Sequence, residues 1–217
     1  MEAVPSGVAA GTFNRESVDA KLGQHLVTFL WRDLVDISLV DEFFGRAGDE
    51  LASDVMEFVG RVLHNTTEDL SHQIRIRLQQ LWDRRLAAGA EDPEAHQAEL
   101  RAFGMTFASG KLDPEWALAN LERTVALAGA PKLGHWVVER LVDLVASLPA
   151  VATRIFAAML EHPENEWDHF GWRDEARAIV ELAVRSGDPA AIDSCRSIVD
   201  FYVRHGELEF RELLGAS

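Results

Sequence analysis

From Arg15 onward the chain keeps to one pattern: apolar residues return every three or four positions, and no stretch sustains the strict alternation of a half-buried strand. That spacing predicts helices. In 113-DPEWALANLERTVALAG-129, Trp116, Leu118, Leu121, Val125 and Leu127 make the apolar side. Asp113 is placed to cap the N-terminus, Pro114 suits the first turn, and Gly129 can stop the helix. The same order returns in 188-DPAAIDSCRSIVDFYVRHG-206. There Asp188 caps, Pro189 begins, Ile192, Cys195, Ile198, Val199 and Tyr202 or Val203 face inward, and Gly206 closes. Further helices are predicted over 15–34, 38–46, 49–64, 68–89, 93–109, 131–147, 149–161, 171–186 and 207–214. The connections are short, which makes successive helices antiparallel neighbours.

A longer period lies over the helical one. ASG at 108–110, ASLP at 146–149 and RSGDP at 185–189 each mark a join between amphipathic helices. They fall at intervals of about forty residues, the length of a HEAT-like helical hairpin. VASLPAV (145–151) overlays VRSGDPAAI (184–192) with a small insertion, whereas the first half of the chain is less regular. One hairpin cannot cover its own apolar face, so neighbours must stack. The expected architecture is all-α: stacked antiparallel helical hairpins forming a HEAT-like α-solenoid or superhelical array of about ten helices. A single repeat domain is expected over 15–217, after a small-residue, unpatterned stretch over 1–14 that reads as a flexible lead-in.

Charge narrows the partners. The 36 acidic residues against 21 basic ones leave a formal charge of −15, which opposes a polyphosphate backbone. The single cysteine, Cys195, has no internal disulfide partner and sits in an apolar-periodic segment, where a buried thiol is usual. The start lacks a basic segment followed by a long apolar run, and no stretch reaches the roughly eighteen uncharged apolar residues of a membrane span. A soluble, cytoplasmic protein is expected.

Candidate chemistry concentrates in 161-EHPENEWDHFGWRDEA-176. His162, Glu164, Glu166, Asp168 and His169 are ligand types for a divalent metal, so a metal-dependent hydrolase using 162–169 is one alternative. The two histidines are seven apart across Pro163, however, rather than four apart on a helix. A structural reading explains more of the stretch. Pro163 ends a helix, the acids are solvated, Trp167, Phe170 and Trp172 pin the connection to its neighbours, and Asp174 and Glu175 suit the start of the next helix. Connections on a solenoid rim often carry recognition, so Trp167, His169, Trp172 and Arg173 are the candidate protein-contact residues. Trp116 and Trp136 are assigned to the core.

Other motifs fail on spacing. GMTFASGKL (104–112) has five residues between its glycines where a phosphate loop has four, and Leu112 stands where Ser or Thr would hold magnesium. The basic stretch 74-IRIRLQQLWDRR-85 sets Arg75, Arg77, Arg84 and Arg85 beside Trp82, a second alternative as a nucleic-acid-associated helix, although acids to pair with are plentiful. Cys195 and His205 lie ten residues apart on one predicted helix, beyond mutual reach, and no serine has a nucleophile-elbow context. No catalytic residue, metal or cofactor is expected.

Four stretches together carry a resemblance: FGMTFASGKLDPEWALANLERTVALAG (103–129), HWVVERLVDLVASLPAVATRIFAAML (135–160), FGWRDEARAIVELAVRSGDPAAI (170–192) and FYVRHGELEFRELL (201–214). In that order they resemble the C-terminal α-helical repeat region of large bacterial multidomain proteins such as STAND-type antiviral or stress-sensing NTPases. The likeness reaches back through 24–34, 43–63 and 78–88. Met105 and Thr106 stand where that family's pattern implies an aromatic pair. The resemblance implies a sensor or assembly platform whose protein partner is a P-loop NTPase or effector domain, with oligomerisation as a further expectation. It carries over no catalytic residue.

Overall fold

The computed structural model describes residues 15–215, which leaves the lead-in of 1–14 outside the described residues. Among the described residues every regular element is helical: α1 (Arg15–Trp31), α2 (Ile37–Arg46), α3 (Asp49–Asn65), α4 (His72–Glu91), α5 (Gln97–Ala108), α6 (Pro114–Ala128), α7 (Gly134–Val145), α8 (Pro149–Glu161), the single turn α9 (Asp168–Gly171), α10 (Arg173–Ser186) and α11 (Pro189–Arg204). Two 3-10 segments, Glu94–His96 and Leu208–Leu214, complete the set.

The predicted caps form. Asp113 Oδ1 accepts from the Trp116 N–H at 2.9 Å, and Asp188 Oδ1 from Ala190 and Ala191 at 2.8 and 3.2 Å. Each satisfies main-chain donors that a first turn leaves free. Gly129 ends α6 at φ 83° and Gly187 ends α10 at φ 70°, backbone conformations that a side chain would strain.

Several boundaries differ from the periodicity: the helix predicted over 15–34 ends at Trp31, and the one predicted over 93–109 opens as the 3-10 segment Glu94–His96 before α5. The helix predicted from residue 68 starts at His72, because Ser71 Oγ accepts from the Ile74 N–H at 3.3 Å and sets the first turn there. The one predicted from 131 starts at Gly134. Its approach is held off-helix by Leu133 in the left-handed region, at φ 55°, and by the Lys132 N–H donating to the Arg101 carbonyl at 3.0 Å. The one predicted from 171 is broken at Trp172, where α9 ends and α10 begins. The last, 207–214, winds as a 3-10 segment that lays the Phe210 ring flat on Tyr202, centroids 4.4 Å apart at 7°.

Helices contact one another in two series. α1, α3, α5, α7 and α10 each touch the next, and so do α2, α4, α6, α8 and α11; α1 with α2, α5 with α6, α7 with α8, and α10 with α11 join the series crosswise. α3 and α5 approach each other closely. A Cβ added at Gly60 would lie 2.4 Å from Met105 Cβ, so only glycine lets these backbones come so close. One cluster of buried apolar side chains runs from Val27 to Phe210. Near its middle Trp82 stacks on Phe103, centroids 5.0 Å apart, meets Trp116 edge-on at 5.6 Å, and donates its indole N–H to Thr124 Oγ1 at 3.1 Å. Burying an aromatic of that size contributes heavily to the core, and the hydrogen bond removes the cost of its polar atom.

Candidate functional site

The connection from α8 to α10 carries the acid- and aromatic-rich stretch. Pro163 cannot extend α8, and the His162 carbonyl instead accepts from the Ala130 N–H at 2.9 Å, tying this connection to the one before α7. Asp168 then accepts from the Asn165 main chain at 2.9 Å and side chain at 3.3 Å, which turns the chain into α9. The result is a short platform rather than an open loop.

The four candidate contact residues separate on that platform. Trp167 is 72% exposed and stacks on Phe170, itself 50% exposed, with centroids 5.7 Å apart at 22°. His169 is only 7% exposed, and Trp172 3%. The Trp172 ring packs edge-on to Phe156 and over Gly134, where a Cβ would sit 2.5 Å from its Cζ2. Trp172 therefore belongs to the core and is not available to a partner. Arg173 reaches the chain's last turn and pairs with Glu207 at 2.7 Å and with Glu209. Of the four, Trp167 alone projects freely. Trp116 is partly buried as expected, whereas Trp136 lies near the surface against His64 and His135.

Three residues the sequence reading did not select as contacts complete the patch. Phe170, Phe201 and His205 surround His169, at centroid distances of 4.1, 5.5 and 4.6 Å. Phe201 and His205 are four apart on α11 and stack on each other at 4.2 Å, a local spacing that could have been read from the sequence. Their meeting with His169 depends on α11 packing against α8. Between the end of α8, α9 and the last turns of α11 lies a groove of ≈ 500 Å³, walled by Leu160, Pro163, Trp167, Phe170 and Phe201 and edged by Glu161 and Glu166.

The surroundings of His169 favour its neutral form. Burial pushes its pKa below the usual 6.5, and neighbouring His205 adds to the effect; a hydrogen bond to the Glu166 main chain, Asp168 and Glu207 oppose it. The Tyr202 hydroxyl donates to the His169 carbonyl at 2.9 Å, while His169 Nε2 is buried with no partner. Glu164 is raised above the ordinary carboxylate range, chiefly by burial and then by Asp168.

The remaining motifs resolve into structural roles. Among the described residues no three His, Cys, Asp or Glu side chains gather at ligand spacing, so the 162–169 residues are not brought together as a cage. Arg77 pairs with Asp33, Arg84 with Asp41 and buried Arg85 with Glu99, which disperses the basic stripe. In 104–112, Gly104 lies inside α5 against Pro131, and Lys111 donates to the Glu68 carbonyl at 3.0 Å. Cys195 is fully buried, and burial pushes its thiol up to about 11, far from thiolate reactivity. Among the described residues no helix is long and apolar enough to cross a membrane. Comparison of the chain with protein-family models, curated proteins and solved structures returns no match.

Proposed function

We propose that this chain is a non-catalytic α-helical repeat scaffold for protein–protein interaction, built as a HEAT-like solenoid. Two observations support the architecture. Alternate helices contact one another in two parallel series, as stacked hairpins do. The first helices of the last three hairpins begin at residues 97, 134 and 173, a spacing of about forty residues. The less even spacing of α1 to α4 fits a terminal unit that departs from the repeat.

The single observation that carries the functional reading is the stacked pair Trp167 and Phe170, exposed to solvent on a connection that the Asn165–Asp168 hydrogen bonds turn into α9. Large exposed aromatics at a groove are typical anchors of protein interfaces, because they bury much apolar area at little entropic cost. The resemblance to STAND-type repeat regions assigns the scaffold a sensor or assembly role beside a P-loop NTPase or effector domain in a bacterial cell. Site-specific photocrosslinking at position 170 tests the reading. One protein partner should be captured, form a complex of defined stoichiometry with the purified chain, and be lost with Trp167→Ala. Equal capture by wild type and Trp167→Ala, or no complex with purified protein, overturns it.

A further inference from the structure

The groove beside Trp167 has a chemistry more specific than an apolar anchor site. Three aromatic rings line it, those of Trp167, Phe170 and Phe201, and so do the exposed residues Glu161 and Glu166. No lysine or arginine lines it. Neither Glu161 nor Glu166 has an ion-pair partner among the described residues, although the arginines of this chain elsewhere pair readily with acids. Among the described residues, the arginines that lie near an aromatic face are Arg85 over Phe44 and Arg177 over Phe210, neither of which lines this groove. The exposed Trp167 ring thus lies beside unneutralised negative charge, on a chain of net charge −15.

We infer that the groove binds an arginine side chain of the protein partner, a refinement that rests on the scaffold reading above. A guanidinium is planar and stacks on an indole face, where the ring quadrupole attracts it. Its forked N–H donors reach carboxylates at the rim. His169, only 7% exposed, backs the groove with an Nε2 that has no hydrogen-bond partner. Lysine offers a point charge with less stacking, and a neutral side chain lacks the charge altogether.

The probe is a blocked peptide, acetyl-Gly-Ser-Arg-Ser-Gly-amide, titrated into the ¹⁵N-labelled full chain, with counterparts carrying lysine, citrulline or norleucine at the centre. The indole N–H signal of Trp167 is identified by its loss in Trp167→Phe. The arginine peptide should shift that signal in a saturable way and bind at least about threefold more tightly than the citrulline peptide, the scale of one exposed cation–π contact. Trp167→Ala should abolish the response of neighbouring backbone signals. Glu161→Gln combined with Glu166→Gln should weaken binding by about threefold and flatten its salt dependence. Equal binding of the norleucine peptide, meaning a purely apolar occupant, overturns the inference. So does self-association of the chain that Trp167→Ala removes, or no shift with the arginine peptide. If that peptide fails while the crosslinked partner still binds wild type and not Trp167→Ala, the arginine assignment falls and the scaffold reading stands. Failure of both removes both.

Discussion

Arg85 and Glu99 form a bidentate ion pair inside the core, where α4 meets α5, with side chains 5% and 1% exposed. Arg85 Nε and Nη2 both donate to the carboxylate, the second at 3.0 Å, and His96 Nδ1 lies 3.1 Å from Glu99 Oε2. The guanidinium also sits 5.2 Å from the centre of the Phe44 ring, and Asp49 accepts from the Ala98 and Glu99 main-chain N–H groups, each at 2.7 Å. One polar knot therefore joins α2, α3, α4 and α5.

Removing one partner leaves an uncompensated charge in the core. Arg85→Met or Glu99→Leu should each destabilise the fold by about 3–5 kcal/mol in denaturant unfolding, and the two together should cost clearly less than the sum. Additive losses would show that the two side chains act separately.

Trp167 and Trp172 are five residues apart and should differ sharply on truncation. Trp172→Ala opens a cavity against Phe156 and should cost about 3–5 kcal/mol, whereas Trp167→Ala should stay within about 0.5 kcal/mol. Thermal unfolding of the two variants decides it. A large loss with Trp167→Ala would mean that its ring is structural.

The depressed pKa of His169 gives stability a pH dependence of known sign. Above its ordinary value of 6.5 both folded and unfolded chains hold it neutral, and its contribution is fully present. As pH falls through 6.5 the unfolded chain takes up a proton that the native site resists, so stability declines. Asp168 and Glu207 oppose the shift and bound the effect, whereas His205 adds to it. Glu164 works in the opposite sense at lower pH, because its raised pKa favours the protonated native form. Denaturant midpoints measured from pH 8 to 5 should fall for wild type, and less steeply for His169→Gln. Parallel profiles would assign the slope to other groups.

Gly60 and Gly45 test close packing against helix propensity. A Cβ at position 60 meets Met105 Cβ at 2.4 Å and α5 backbone at 2.9 Å, so Gly60→Ala should destabilise by about 1–3 kcal/mol. At position 45 nothing lies within 4 Å, and Gly45→Ala should stabilise by about 0.5 kcal/mol. Chemical denaturation of each variant, compared with wild type, gives both signs.

Cys195 should be inert to a thiol reagent at pH 8 in the native state and should react fully once unfolded, because burial both hides it and pushes its pKa up to about 11. Fast labelling of folded protein would place the thiol at the surface.

How much of this was legible in the sequence varies with the range of the interaction. The helix over 114–128 and the one over 189–204 were readable from Asp113 and Asp188, Pro114 and Pro189, and the closing glycines, since a cap and the N–H that donates to it lie within three residues of each other. The start of α7 was not. It depends on Arg101 receiving the Lys132 N–H and on Trp172 lying over Gly134, neither of which neighbours it in sequence. The candidate site was half legible: the stretch 161–176 was readable as an aromatic-rich connection, but of the three rings expected to pin it only Trp172 is buried, and Phe201 and His205 entered only through the packing of α11.

The sequence by itself determined that the chain is helical, where most helices begin and end, and which faces are apolar, because those depend on main-chain hydrogen bonds and caps a few residues long. Tertiary structure alone decided which aromatics stay in solvent. Trp167 and Trp172 share one short stretch and one chemistry, yet one faces water and the other is sealed beneath Phe156 and Gly134. Burial is set by segments that arrive from far along the chain, as it is for the arginines of α4, which find their acids on α5 and near α1 and α2. No local pattern encodes that arrival.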